Sequence, residues 1–125
     1  MIFQQTINDT AELQGVGLHN GIKVNLALKP AESNSGIKFK RIDIDNRENI
    51  IDANYKNVSD PVLCTKIKNS NNVSVSTIEH LMGALYGEGV DNVIVEVNAP
   101  EIPIMDGSAF DFVEAIRSVG LKQQS

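Results

Sequence analysis

The sequence predicts an α+β fold, a mostly antiparallel sheet with two helices packed on one face. Three observations predict it. Upstream of residue 77 the chain is a succession of short segments in which apolar and polar residues alternate, broken by turn residues. At residue 77 the apolar spacing switches to a helical period, and it does so again after residue 108. Between those stretches lies "DNVIVEVN", a strand rich in β-branched residues. Strands gathered first, then helix, strand and helix, give helices segregated on one side of a sheet.

In chain order, "ELQGVGLHNGIK" begins as a strand and reaches a tight turn at Asn20–Gly21, where both residues tolerate the positive φ of a hairpin. "KVNLALKP" (23–30) places Val24, Leu26 and Leu28 on one face and ends at Pro30. "GIKFKR" (36–41) alternates again, with Ile37 and Phe39 inward; its basic run "KFKR" is the one candidate for gripping a phosphate, and otherwise reads as a solvated strand edge. "IDIDNRENIIDANYKNVSD" is a polar excursion with a short strand near Ile50–Ile51. "VLCTKIKN" and "NVSVS" form a second hairpin across "SNN". Ile78, Leu81, Met82 and Leu85 are spaced i, i+3, i+4, i+7, which predicts a helix from 77 to 86, stopped by Gly87 and Gly89. "APEIPIMDG" is a loop interrupted by prolines. Ala109, Phe112, Val113 and Ile116 define the second helix, capped by Ser108 and closed by Gly120. The final "LKQQS" is polar and stops without a natural finish, as a truncated chain would. Residues 1–125 read as a single domain without internal repeat or linker.

Composition narrows the function classes. A net charge of −5 over 125 residues excludes broad electrostatic attraction to nucleic acid. Hydrophobic residues make up 42%, enough to fold, and the absence of Trp leaves Val, Ile and Leu to build the core. Cys64 is the single cysteine, so no internal disulfide forms, which fits a reducing compartment. "MIFQQTINDT" lacks the basic start and apolar stretch of a signal peptide, and no run is long enough for a transmembrane span. The expected location is cytoplasmic.

The stretch that asks for chemistry is "VSVSTIEHLMGAL" (73–85), where Glu79 and His80 stand side by side as strand gives way to helix. One reading is structural. Ser76 and Glu79 have capping-box spacing, Glu79 bonding back to the Ser76 amide while its charge suits the helix N-terminus. The other reading is catalytic. The positive helix end disfavours imidazolium, leaving His80 a free lone pair for a metal, with Glu79 placed to take a proton from a water. Spacing leaves both open, because catalytic zinc wants about three protein ligands. His19 is the only other histidine and Cys64 the only thiol.

The segments "GVGLHNG", "LCT", "STIEHLMGAL" and "DNVIVEVNAPEIPIMDGSA" together resemble the N-terminal domain of the UDP-3-O-acyl-N-acetylglucosamine deacetylases, zinc amidohydrolases of lipid A biosynthesis in Gram-negative bacteria. The segments fall in the family's order and cover essentially the whole chain. The resemblance implies one half of a two-domain sandwich, each domain a sheet with helices on one face, the helix layers packed together and zinc in the cleft between. It implies Glu79 as general base and His80 as a zinc ligand. A histidine and an aspartate from the second domain complete the zinc site, and a further histidine there serves as general acid. His19 matches a residue lining the substrate cleft, or is a polar turn residue. Val62, Leu63 and Cys64 match the segment flanking the metal and the acyl-chain entrance. Asp106 either orients a partner across the cleft or is a turn carboxylate ahead of Ser108.

The implied reaction hydrolyses the acetamide of a UDP-linked acylated sugar to UDP-3-O-acyl-glucosamine and acetate. Without its second domain the chain is expected to be inactive and to hold Zn2+ poorly. The expected partner is that second domain. In its absence Met82, Tyr86 and Phe110 are expected to stay exposed on the helix layer and to support a homodimer. The alternatives are a non-catalytic binding domain of the same fold, opposed by the retention of Glu79 and His80, and an α+β nucleic-acid binder, opposed by the acidity.

Overall fold

A computed structural model of the chain describes residues 3–18, 21–44, 48–53, 58–59 and 66–124. Along it run β1 (Gln4–Ile7), β2 (Ala11–Val16), β3 (Lys23–Pro30), β4 (Ile37–Arg41), β5 (Ile50–Asp52), β6 (Val58–Ser59), β7 (Lys66–Lys68), β8 (Ser74–Ser76), α1 (Glu79–Glu88), β9 (Val93–Val97), α2 (Phe110–Val119) and β10 (Leu121–Gln124). The main sheet has the order β2-β3-β9-β4-β5, β6-β7-β8 form a second, and β1-β10 a ribbon. Every pairing between these strands is antiparallel except β4 with β9. The α+β prediction therefore holds, with one parallel neighbour at its centre.

Alternation explains the sheet. Val24, Leu26 and Leu28 face inward from β3, Ile37 and Phe39 from β4, and Val93, Val95 and Val97 from β9. The register lines up Ala11, Leu28, Val95, Phe39 and Ile51 as one buried row across all five strands. Each large side chain in that row contributes roughly 1.5–3 kcal/mol through burial, so the row fixes the register. Leu81, Ala84 and Leu85 of α1 and Phe112 and Ile116 of α2 enter the same core. Arg117 of α2 reaches Glu88 of α1 at 2.7 Å.

The run at 38–41 is no strand edge. β4 is flanked by β9 and β5, so its lysines lie on the outer face of an interior strand, and Lys38 pairs with Asp52 at 3.2 Å. Arg41 turns inward. Its guanidinium donates to both oxygens of Asp43 at 2.8 and 2.7 Å and to the Ser74 carbonyl at 2.9 Å, tying the main sheet to β8. That paired donation holds the Asp43 carboxyl below its ordinary pKa against the opposing effect of burial.

The polar tail expected at 121–125 forms a strand over 121–124, β10, paired with β1. The ribbon joins the sheet through buried Ile7, through the Gln5 carbonyl, which accepts from the Asp91 and Asn92 amides at 2.9 and 3.1 Å, and through side-chain amides; with Ile7 its one buried apolar side chain, alternation does not reveal it. Asn92 is its hub. Its Nδ2 donates to Gln4 Oε1 and Gln124 Oε1, each at 2.8 Å, and its Oδ1 accepts from the Gly36 amide at 2.8 Å. The Thr6 hydroxyl donates to the Asn92 carbonyl at 2.6 Å.

The expected turn at Asn20–Gly21 lies partly outside the described residues, which end at 18 and resume at 21; around it the Gly21 amide, at φ +67, donates to the Gly17 carbonyl, and the Gly17 amide donates to the Ile22 carbonyl. Both ends of α1 differ from prediction. α1 starts at 79, and Gly87 lies within it; Gly89, at φ +78, ends it. On the helix layer Met82 is half-buried against the core, whereas Tyr86 and Phe110 are 67% and 59% exposed. Met82 therefore does not belong to the exposed set.

Candidate active site

The site is built where β8 hands over to α1. Ser76 is committed on both sides: its amide donates to the Pro100 carbonyl at 2.9 Å, and its carbonyl accepts from the Ile102 amide at 3.0 Å. These bonds form a parallel bridge between Ser76 and Glu101. The capping box predicted from Ser76 and Glu79 is thereby overturned. The Ser76 amide already has an acceptor, its hydroxyl donates to Pro100 instead, and the N-cap position falls on Ile78 with no side-chain cap. Thr77 makes the turn with φ +61, and the helix opens with Glu79 exposed and His80 half-buried. The Glu79 charge still suits the positive helix end.

Asp106 approaches from the second arm, the loop between β9 and α2. Its Oδ1 accepts from the Ser108 amide at 3.0 Å and the Ser108 hydroxyl at 2.7 Å, an Asx turn. Ser108 in turn accepts from the Phe110 amide at 3.2 Å. The N-cap falls on Ala109, one residue later than predicted, but the Ser108 hydroxyl still serves a first-turn amide. The Ser108 hydroxyl, then its amide, pull the Asp106 carboxyl below its ordinary pKa; the charge of His80 adds the smallest downward pull. Asp106 is thus both a turn carboxylate and within electrostatic reach of His80.

The second arm is fastened to the sheet edge, and the first is fastened to the second through Ser76. The Ile104 amide donates to the Val16 carbonyl at 3.0 Å, and Gly15 lies so close that a Cβ there would sit 2.7 Å from Pro103 Cβ and 2.8 Å from Met105 Sδ. Met105 itself is left-handed, with φ +56. The structure therefore brings Glu79, His80 and Asp106 to one end of the helix layer. His19, Val62, Leu63 and Cys64 lie outside the described residues. Among the described residues, no three of His, Cys, Asp and Glu converge as a metal-ligand set. Two grooves on the molecule, of about 1000 and 340 Å³, are lined by other residues and include none of the three.

Thr77, Met105 and Gly15 are the residues that sequence reasoning missed. The change of period from two to 3.6 marks the junction at residue 77 but carries no sign of a left-handed residue there.

The sequence model of a family described as "LpxC: UDP-3-O-acyl N-acetylglycosamine deacetylase" matches residues 4–125. Proteins named UDP-3-O-acyl-N-acetylglucosamine deacetylase are similar throughout. One from Shewanella halifaxensis (strain HAW-EB4) is 50% identical over 125 residues, 100% of this chain and 40% of its own length. One from Pseudoalteromonas atlantica (strain T6c / ATCC BAA-1087) is 48% identical over 123 residues, 98% of this chain and 40% of its own. One from Aliivibrio fischeri (strain ATCC 700601 / ES114) is 47% identical over 123 residues, with the same coverage. The chain spans about 40% of the length of the curated relatives it matches.

Proposed function

Because this chain belongs to the UDP-3-O-acyl-N-acetylglucosamine deacetylase family, we propose that it supplies a general base, Glu79, and one metal-ligating imidazole, His80, to that deacetylation in lipid A biosynthesis. The observation that carries the reading is the pairing of Glu79 and His80 in the first turn of α1, with Asp106 held ionised within reach of His80. The donor set fits zinc as a partial site. His80 offers one nitrogen ligand beside carboxylates, and a catalytic site wants about three protein ligands. The others belong to a second domain, for which the remaining length of the relatives leaves room. Zinc, when bound, polarises the amide carbonyl and makes water a stronger acid.

This chain's own residues do the rest of the work on this side. Glu79, exposed at the helix end, accepts the proton of the attacking water and holds it for transfer. Asp106, held ionised by its Ser108 bonds, lies within electrostatic reach of His80 and orients groups across the cleft. The family resemblance assigns contacts with the UDP-linked acylated sugar to His19, Val62, Leu63 and Cys64, which lie outside the described residues. The helix layer, with Tyr86 and Phe110 outward, receives the second domain. A cytoplasmic setting fits the single cysteine, and among the described residues no helix is long and apolar enough to cross a membrane.

The test is a Glu79→Ala variant of the full-length protein. It is expected to keep its metal and to lose ~10²–10⁴-fold in kcat on a UDP-3-O-acyl-N-acetylglucosamine substrate. Steady-state kinetics within about threefold of the parent would leave Glu79 only as a favourable charge at a helix end, and the domain as a binding module.

A further inference from the structure

Among the described residues, four other than glycine have a left-handed backbone: Asn34, Asn72, Thr77 and Met105. Asparagine takes that conformation readily. Threonine does not, because its branched Cβ crowds the following carbonyl, so φ +61 at Thr77 is a true outlier. Thr77 is also 3% exposed, and its hydroxyl has no hydrogen-bond partner among the described residues. One residue thus carries both backbone strain and an unmatched buried polar atom. Such residues persist where the surroundings over-determine them, and they cluster at working sites.

The surroundings here are specific. Ser76 is clamped by Pro100 and Ile102 on one side of Thr77. On the other, the Ile78 carbonyl already accepts from Met82 at 2.9 Å, and Ile78 and Leu81 are buried. Between a fixed strand and a fixed helix, a single residue must reverse the hand of the chain. Glu79 and His80 are the second and third residues after it. Met105, the other left-handed residue that is neither Gly nor Asn, immediately precedes Asp106. The two costly bends therefore fall on the two arms of the candidate site and nowhere else among the described residues.

We propose that Thr77 is a positioning residue whose left-handed backbone sets the exit direction of α1 and so holds Glu79 and His80 toward Asp106. The catalytic consequence rests on the deacetylase reading; the geometric one does not. Glycine at 77 would admit either hand and loosen the first turn. Asparagine would keep the left hand. Valine would keep the shape and remove only the hydroxyl.

The experiment compares Thr77→Gly, Thr77→Asn and Thr77→Val in the full-length protein. It reads kcat and KM on the UDP-linked substrate, thermal melting, and the NMR resonances of the His80 ring. Thr77→Gly is expected to melt no lower than the parent, since strain is relieved. Its kcat is expected to fall roughly tenfold to hundredfold with KM within about threefold, as misplacement of a catalytic group does. Its His80 resonances shift and broaden. Thr77→Asn and Thr77→Val keep kcat within about threefold and native-like His80 signals. A Thr77→Gly protein with parental kcat and unchanged His80 resonances would overturn the proposal. So would a Thr77→Val protein as impaired as Thr77→Gly, which would make the hydroxyl the agent. If the parent itself does not hydrolyse the substrate, the deacetylase reading fails, and the His80 resonances alone decide the role of Thr77.

Discussion

A single methyl group at position 15 would collide with the loop that carries Asp106. The ideal Cβ lies 2.7 Å from Pro103 Cβ, in a rigid ring, and 2.8 Å from the more yielding Met105 sulfur. Gly15→Ala should therefore cost about 1–3 kcal/mol, the usual range for overpacking, and should push residues 103–105 off the edge of β2. Urea denaturation reads the stability and steady-state kinetics of the full-length variant the effect on Asp106. A variant as stable as the parent would show that the loop yields freely. At this scale the sequence displays chemistry better than it displays constraint. The adjacency of Glu79 and His80 and the Asp-Gly-Ser turn at Asp106 are visible in the string. The need for glycine at 15 or a left-handed threonine at 77 arises only when segments distant in sequence are packed together.

Elements with an apolar stripe were legible, and elements held by polar bonds were not. Leu81, Leu85, Phe112 and Ile116 mark the two helices, and the alternation of β3, β4 and β9 marks the sheet, because burial imposes those periods. The capping box failed because Ser76 spends its main-chain bonds on Pro100 and Ile102, partners that local spacing does not reveal. The β1–β10 ribbon escaped for a related reason: Ile7 is its one buried apolar side chain, and the rest of its link to the sheet runs through main-chain and amide bonds at Gln4, Gln5, Asn92 and Gln124. Asn92→Ala should remove three bonds of that network at once and leave the Gly36 amide without its acceptor. A loss of about 1–3 kcal/mol is expected for orphaned groups of this kind. Equilibrium urea unfolding with and without the substitution measures it, and a change below about 0.5 kcal/mol would mean that water replaces Asn92 at no cost.

For the whole molecule, two aromatic side chains set the behaviour of residues 1–125 expressed alone. Tyr86 and Phe110 stand exposed on the helix layer while the opposite face of the sheet carries the ion pairs Lys29–Glu96 and Lys38–Asp52. Burying each aromatic would contribute roughly 1.5–3 kcal/mol, set against association costs of about 4–15 kcal/mol. Weak self-association through this layer is the expected outcome, and Phe110→Ser should reduce it. Analytical ultracentrifugation over a concentration series reads the result; a clean monomer throughout would show that two rings are too few. The pairing of β1 with β10 acts on a different process, the emergence of the protein from the ribosome. Gln4 waits for Gln124, and the central strand β9 is made only after β2, β3, β4 and β5 have been exposed. Non-local pairing of this kind closes late. At roughly 5–20 residues per second, the nascent chain spends several seconds with its core strands unsealed, and β1 finds its partner only once residues 121–124 have emerged.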